Sequence, residues 1–145
     1  MKAWLSLGAN IGDPPAQLAE AIRRIQAHPA ISVVGQSSVL TTKPWGKTDQ
    51  PDFANQAVTV ETSLEPLELL DVILGIELDM GRVRKEVWGP RLIDIDMIAY
   101  ERLEMVTPRL SLPHPHAHER DFVLVPLGEI APEVTAWLTS RRETR

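Results

Sequence analysis

The sequence contains no cysteine. This absence excludes disulfide bonds, cysteine-ligated zinc and iron–sulfur clusters, and it suits a reducing compartment. The chain also lacks any apolar run of about 18 residues, and its N-terminus lacks a basic region that leads into an apolar stretch and a cleavage site. We therefore expect neither a membrane span nor a secretory signal, and we expect a cytoplasmic protein.

An excess of positive charge is missing as well, because 20 acidic residues outweigh 15 lysines and arginines and give a formal net charge of −5. Proteins that bind nucleic acids in general carry a basic surface that releases counterions. We therefore expect no nucleic-acid partner, and any anion-binding site must be local. No repeat or low-complexity segment interrupts the chain, whose length suits one core, so we expect a single domain over residues 1–145.

The pattern of apolar residues predicts the order β-α-β-β-α-β with a C-terminal extension. The predicted elements are a strand over 3–7, a helix that Asp13 caps and that ends near His28, a long strand over 31–41, a strand over 56–61, a helix from a capping box at 62–65 to Gly81, and a strand over 92–100. A proline-rich segment then leads to an apolar run at 122–125 and a poorly structured basic tail. This order is typical of an α+β, ferredoxin-like antiparallel sheet with two helices on one face. A doubly wound sheet is the main alternative, but it would need a helix between the second and third strands.

Two acidic residues, Asp94 and Asp96, alternate with apolar residues in the last predicted strand. In a strand their Cα atoms are about 6.6 Å apart on one face, while Ile93, Ile95 and Met97 point to the other face. Two neighbouring acids in an apolar strand need a compensating cation, and Mg²⁺ prefers carboxylates that it shares with substrate phosphates. The pair therefore predicts a metal site. A solvated strand face, with acids paired to lysine or arginine, explains the pair alone equally well.

A basic loop directly precedes this strand, with four lysines or arginines in residues 82–91. Guanidinium groups bind phosphate oxygens in a bidentate manner, so such a loop beside a metal pair predicts a polyphosphate ligand. A solvated basic surface is the alternative interpretation.

Three of the four histidines alternate with other residues over 114–118. Alternating imidazoles can bind zinc. Pro115, however, interrupts regular geometry, and arginines on both sides favour contact with a phosphate or nucleotide. For His116 and His118, an inert surface loop is an equally good interpretation.

The loop over 42–55 contains two aromatic residues, Trp45 and Phe53, whose faces can sandwich a flat heterocycle. Asn55 offers a donor and an acceptor to the edge of such a ring, although Phe53 could equally pack in the core.

The glycine-rich turn at 8–12 could allow close approach of a ligand, but a plain strand-to-helix turn is the simpler interpretation.

Together these features predict an enzyme that uses Mg²⁺ and ATP to transfer a phosphate-containing group to a small planar acceptor. A histidine-dependent zinc hydrolase and a non-catalytic nucleotide-binding module are the two alternatives.

The segment WGPRLIDID at 88–96 resembles the signature of the 6-hydroxymethyl-7,8-dihydropterin pyrophosphokinase family of folate biosynthesis. Further matches occur in the same order at 7–10, 50–55, 76–77, 81–82, 113–114, 120–122 and 126–127, so the resemblance covers nearly the whole chain. It implies a ferredoxin-like monomer that transfers the terminal pyrophosphoryl unit of ATP to the pterin hydroxymethyl oxygen and releases AMP.

The resemblance also implies roles for single residues. Asp94 and Asp96 would hold two Mg²⁺ ions that bridge the triphosphate and, with Arg82 and Arg91, would form the catalytic group. The implied ATP contacts are Arg84, Arg91, Met97, Arg109, Ser111, His114 and Arg120. The implied pterin contacts are Gly8, Thr42, Trp45, Phe53, Asn55, Trp88 and Phe122.

The chain departs from the family pattern at three positions. Val87 stands where a basic residue usually precedes the signature tryptophan, Pro115 stands where an aromatic residue is common, and Lys43 replaces a frequent proline. These changes affect one phosphate contact, one adenine-side contact and the stiffness of one loop.

Overall fold

The computed structural model describes residues 1–42, 52–81 and 93–143. In chain order, its elements are β1 (Lys2–Ala9), α1 (Pro14–Ala27), β2 (Ile31–Gln36), β3 (Leu40–Thr42), β4 (Phe53–Thr62), α2 (Pro66–Asp79), β5 (Asp94–Tyr100), β6 (Met105–Val106), β7 (Ser111–Leu112), a short 3-10 helix (Ala117–Glu119), α3 (Asp121–Ile130) and α4 (Pro132–Glu143). No helix within these ranges is long and apolar enough to cross a membrane.

The main sheet has the strand order β2-β4-β1-β5, and β3 also pairs with β4. Every pairing is antiparallel, and β1 and β4 pair along the whole of β1, from Lys2 opposite Glu61 to Ala9 opposite Ala54. Helix α1 connects β1 to β2, and α2 connects β4 to β5, which is the arrangement of a ferredoxin-like sheet. The predicted α+β fold is therefore confirmed.

One face of the sheet packs against α1 and α2. Alternate strand residues such as Leu5, Val58 and Ile95 are buried there against Leu18 of α1 and Ile73 of α2. This alternation follows from the strand period of two, and it puts the apolar half of each central strand into one core.

The other face packs against α3 and α4, which corrects the prediction of a poorly structured basic tail. Val123 and Leu127 of α3 are buried against Trp4 of β1, and Val134 and Leu138 of α4 are buried in the same cluster. The members of each helical pair are four residues apart, so each pair forms an apolar stripe on its helix. The C-terminal extension therefore forms a second core.

The first helix begins and ends as predicted, whereas the second begins later than predicted. Asp13 caps α1, because its Oδ1 accepts a hydrogen bond from the Ala16 N–H at 3.2 Å. The predicted cap of α2 at Thr62 is wrong, since Thr62 ends β4 and its hydroxyl donates to the Ala30 carbonyl at 2.8 Å. The helix starts after Glu65, whose N–H donates to the Glu68 carboxylate at 2.8 Å.

The single long strand predicted over 31–41 is in fact two strands, β2 and β3. Ser37 lies between them, and its hydroxyl oxygen accepts the Ala57 N–H at 2.9 Å in place of a strand carbonyl. Glu129 of α3 then accepts both the N–H and the hydroxyl of Ser38, at 3.0 and 2.8 Å. These side-chain bonds compete with the ladder and redirect the chain. Strand β4 is also longer than the predicted 56–61.

Candidate active site

A polar row crosses the sheet on the face that carries the second core. Asn55 of β4 pairs with Gly8 of β1, and Gly8 pairs with Asp94 of β5. One step further along the strands, Ser6 pairs with Asp96. Because side chains two residues apart share a face, these residues continue the face on which Trp4 packs against α3 and α4. The register thus joins residues that lie far apart in the sequence.

Gly8 leaves space at the centre of this row. A methyl group at Gly8 would lie 3.0 Å from Asn55 Oδ1, which is closer than side chains normally approach. Neighbouring strands are about 4.8 Å apart, so the Asn55 and Asp94 Cα atoms are separated by roughly 10 Å. A flat group can therefore approach the main chain between an amide and a carboxylate.

Asn55 is buried, with 5% of its surface exposed. Its Nδ2 lies 3.5 Å from the hydroxyl oxygen of Thr42, which β3 holds opposite Phe53. This long contact leaves the amide suited to a second partner, with both a donor and an acceptor available. Phe53 is half-buried and packs in neither of the core clusters that the described residues form.

Asp94 and Asp96 are half-buried, whereas Ile95 and Met97 between and after them are buried in the first core. The two carboxylates therefore share a face, as predicted. Across residues 1–42, 52–81 and 93–143, no group of three or more His, Cys, Asp or Glu side chains could hold a metal ion. Two carboxylates that leave coordination positions for substrate oxygens fit Mg²⁺ better than zinc, which prefers nitrogen and sulfur ligands.

His114 lies beside this pair. Its N–H donates to the Ile98 carbonyl of β5 at 2.8 Å, and its Nδ1 accepts the His116 N–H at 3.2 Å. Burial lowers the pKa of His114, the charges of Arg120 and His116 lower it further, and Asp94 partly opposes them. The ring is therefore neutral at pH 7, and with Nδ1 occupied as an acceptor its proton lies on Nε2.

Four other predicted contacts lie within residues 109–122. Arg120 places its guanidinium 5.7 Å from the centre of the ring of Phe122, which lies in the first turn of α3 and is 39% exposed. Ser111 and His114 line a cleft of about 550 Å³. Arg109 is exposed and forms an ion pair with Asp71 of α2.

The six remaining predicted site residues fall into two groups. The side chain of Met97 is buried in the first core, so only its main chain is available to a ligand on the other side. Five predicted residues lie outside the described part of the chain: Trp45, Arg82, Arg84, Trp88 and Arg91.

One buried acid was not predicted to take part. Glu77 of α2 is 1% exposed, and its Oε2 accepts the Ile95 N–H at 2.9 Å. The sequence indicates its burial, because Glu77 follows Ile73 by four positions and so lies within the apolar stripe of the helix.

Comparisons with known proteins show the family of the chain. Residues 4–132 match the family model of 7,8-dihydro-6-hydroxymethylpterin-pyrophosphokinase. The chain is 53% identical over 133 residues to the 2-amino-4-hydroxy-6-hydroxymethyldihydropteridine pyrophosphokinase of Methylorubrum extorquens, covering 92% of this chain and 84% of that relative. It is 43% identical over 138 residues to the protein of the same name from Bacillus subtilis, covering 95% of this chain and 83% of that one.

A solved structure shares the fold. The crystal structure of wild-type Plasmodium falciparum HPPK-DHPS with pteroate superimposes with a TM-score of 0.71 at 17% identity, covering 91% of this chain and 39% of that chain. The chain spans well under half of that larger protein, and at this identity the likeness concerns the fold alone. Because the family model matches residues 4–132 and the two relatives are 53% and 43% identical, this chain belongs to the 7,8-dihydro-6-hydroxymethylpterin-pyrophosphokinase family.

Proposed function

We propose that the chain transfers the pyrophosphoryl group of ATP to 6-hydroxymethyl-7,8-dihydropterin, giving the pterin diphosphate and AMP, as a step of folate biosynthesis. Membership of the family supports this activity. The observation that carries it is the row of Asn55, Gly8 and Asp94, in which an amide and a carboxylate flank a residue without a side chain.

The pterin ring would lie over Gly8. Asn55 would bind the edge of the ring, because its amide matches the alternating donors and acceptors of a heterocycle. Phe53 and the partly exposed Phe122 would contact its faces, and Thr42 would lie beside Asn55. This placement turns the hydroxymethyl group towards the acidic pair on the opposite side of Gly8.

Asp94 and Asp96 would hold two Mg²⁺ ions together with oxygens of the ATP triphosphate. When bound, these ions neutralise the charge that builds up on the phosphates during transfer. The two aspartates fit this role because they share a face, and because substrate oxygens can complete the coordination that Mg²⁺ requires.

ATP would approach from the side of β5 and the segment after β7. His114 would donate from Nε2 to a phosphate oxygen, Arg120 would neutralise phosphate charge, and Ser111 with the main chain of Met97 would contact the nucleoside. Arg109 would have to leave Asp71 to reach the nucleotide. The roles of Arg82, Arg84, Arg91, Trp45 and Trp88 rest on the family resemblance.

The transfer itself needs alignment more than a strong base. The pterin oxygen attacks the β-phosphorus of ATP and forms a new O–P bond. The bond from that phosphorus to the oxygen bridging the α- and β-phosphates breaks, AMP leaves, and the hydroxyl proton passes to solvent. We assign no dedicated general base, and we further propose that the chain works as a single-domain, cytoplasmic monomer.

Binding of Mn²⁺, in place of Mg²⁺, tests the acidic pair directly. Electron paramagnetic resonance of Mn²⁺ with a non-hydrolysable ATP analogue should show affinity at least about tenfold weaker in Asp94→Asn and in Asp96→Asn than in the wild type. Asp79→Asn, at the exposed C-terminal end of α2, is the matched control and should bind as the wild type does. Unchanged Mn²⁺ affinity in both site variants would refute the metal role.

A further inference from the structure

Glu77 is a buried acid in an unfavourable place. Among the described residues it is the one charged side chain in the buried class, and it lies in the last turn of α2 beside Ile73 and Ile76. Burial disfavours a carboxylate, and the negative end of a helix dipole disfavours it again. An apolar side chain of similar size would pack there more easily. The carboxylate therefore needs a compensating contact.

One such contact is with the main chain of the acidic strand. Glu77 Oε2 accepts the Ile95 N–H at 2.9 Å, and Ile95 lies between Asp94 and Asp96. Among the strands of the described ranges, β5 lies at the edge of the main sheet, next to β1. At this one residue, the carboxylate thus satisfies a main-chain N–H of the edge strand.

We infer that Glu77 is a positioning residue for the acidic pair, holding the Asp94–Ile95 peptide unit so that both carboxylates point to the same cation site. Rotation of this peptide unit would turn Asp94 relative to Asp96, since it changes the main-chain angles between the two side chains. The inference rests on the proposed function, because it assigns to Glu77 the orientation of the proposed metal ligands.

Glu77 also joins α2 to β5, the two elements on either side of the segment that carries the predicted phosphate-binding arginines. The bond connects residues 18 apart in the sequence. It therefore holds the end of the helix and the start of the acidic strand in one fixed relation.

Three substitutions separate the geometry of Glu77 from its charge. Glu77→Gln keeps an acceptor of the same reach and removes the charge, Glu77→Asp keeps the charge and shortens the reach, and Glu77→Met removes both. If position matters, Gln should stay within about threefold of the wild type in Mn²⁺ affinity with the ATP analogue. The Glu77→Asp and Glu77→Met variants should bind Mn²⁺ about 10- to 100-fold more weakly than the wild type, as is usual when a partner of a metal ligand is lost.

Amide hydrogen exchange of Ile95, followed by NMR, provides a readout independent of metal and turnover. Exchange should be faster in Glu77→Met and Glu77→Asp than in the wild type and Glu77→Gln, because the bond to Ile95 is lost. Ile73→Val, equally buried in the same helix, is the control: it should lower the melting temperature while leaving Mn²⁺ affinity and Ile95 exchange unchanged.

Each outcome bears on the inference. A folded Glu77→Met or Glu77→Asp variant with wild-type Mn²⁺ affinity would overturn the inference. A Glu77→Gln variant that binds Mn²⁺ as weakly as Glu77→Met would overturn it too, because the charge of Glu77 rather than its position would then determine the affinity. If the Glu77→Met variant does not fold, comparison of the Mn²⁺ affinities of Glu77→Asp and Glu77→Gln tests the inference in the same way. If the wild type itself binds no Mn²⁺ with nucleotide, the proposed function fails first and the role of Glu77 fails with it.

Discussion

Asn55 and Asp94 lie in one row across three strands, with Gly8 alone between them. Asn55 lies in β4 and Asp94 in β5, the strands on either side of β1, and the two residues are 39 positions apart in the sequence. Their separation of roughly two strand spacings leaves room for one flat ring above the glycine. Much of the proposed chemistry depends on this spacing.

A methyl group at Gly8 should therefore impair pterin binding without unfolding the protein. In Gly8→Ala the new Cβ would lie 3.0 Å from Asn55 Oδ1, so the amide must shift away from its ligand. We expect the KM for the pterin to rise by about tenfold or more, because small displacements of positioning groups are costly. Steady-state kinetics at saturating ATP would measure it.

Gly75→Ala is the matched control for that substitution. A Cβ at Gly75 meets nothing within 4 Å, and the residue lies inside α2. The variant should keep the wild-type KM and gain about 0.5–1 kcal/mol in the free energy of unfolding, since alanine favours helix. If Gly8→Ala also kept the wild-type KM, the proposed ring position would be wrong.

The C-terminal helices should contribute to stability as core elements do. Leu138 of α4 is 3% exposed and packs in the cluster that contains Trp4. Leu138→Ala should lower the free energy of unfolding by about 2–5 kcal/mol in urea denaturation, as buried leucines usually do. Its exposed neighbour Thr139 gives the control, Thr139→Ala, with an expected change within about 0.5 kcal/mol. Equal small effects would mean that α4 does not pack on the sheet.

His114 should make stability depend on pH below neutrality. Its pKa in the folded protein is lower than the usual 6.5, chiefly through burial. As the pH falls through 6.5, the unfolded chain takes up a proton at this residue before the folded protein does, so the free energy of unfolding decreases. The loss cannot exceed about 1.4 kcal/mol per pH unit for one proton.

Urea denaturation of the wild type and of His114→Asn between pH 7.5 and about 5 would measure this contribution. The variant has no titrating group at this position, so its stability should fall less steeply with decreasing pH. Parallel pH profiles for the two proteins would contradict the lowered pKa.

Local signals explain what the sequence predicted correctly. Asp94 and Asp96 alternate with buried residues, and a period of two is visible in any strand without knowledge of its neighbours. The Asp13 cap and the end of α2 near Gly81, which has a φ of +89°, are local in the same sense. The order of strands and helices follows from such signals.

The features that were missed depend on distant contacts. Residues 31–41 are β-prone throughout, and the break at Ser37 comes from its bond to Ala57, 20 positions later. The apolar run before Pro126 has no clear helical period, and a proline inside a helix is normally a breaker, so α3 could be recognised only from its packing on the sheet. Glu77 looked like one residue of a helix until its contact with Ile95 was visible.

The nucleotide product of the reaction tests the central claim most directly. The purified protein should be mixed with ATP, Mg²⁺ and 6-hydroxymethyl-7,8-dihydropterin, and the nucleotides should be separated by ion-exchange chromatography. The proposed pyrophosphoryl transfer predicts one AMP for each pterin diphosphate formed, and no AMP when the pterin is omitted. Formation of ADP with a pterin monophosphate, or no pterin-dependent loss of ATP, would contradict it.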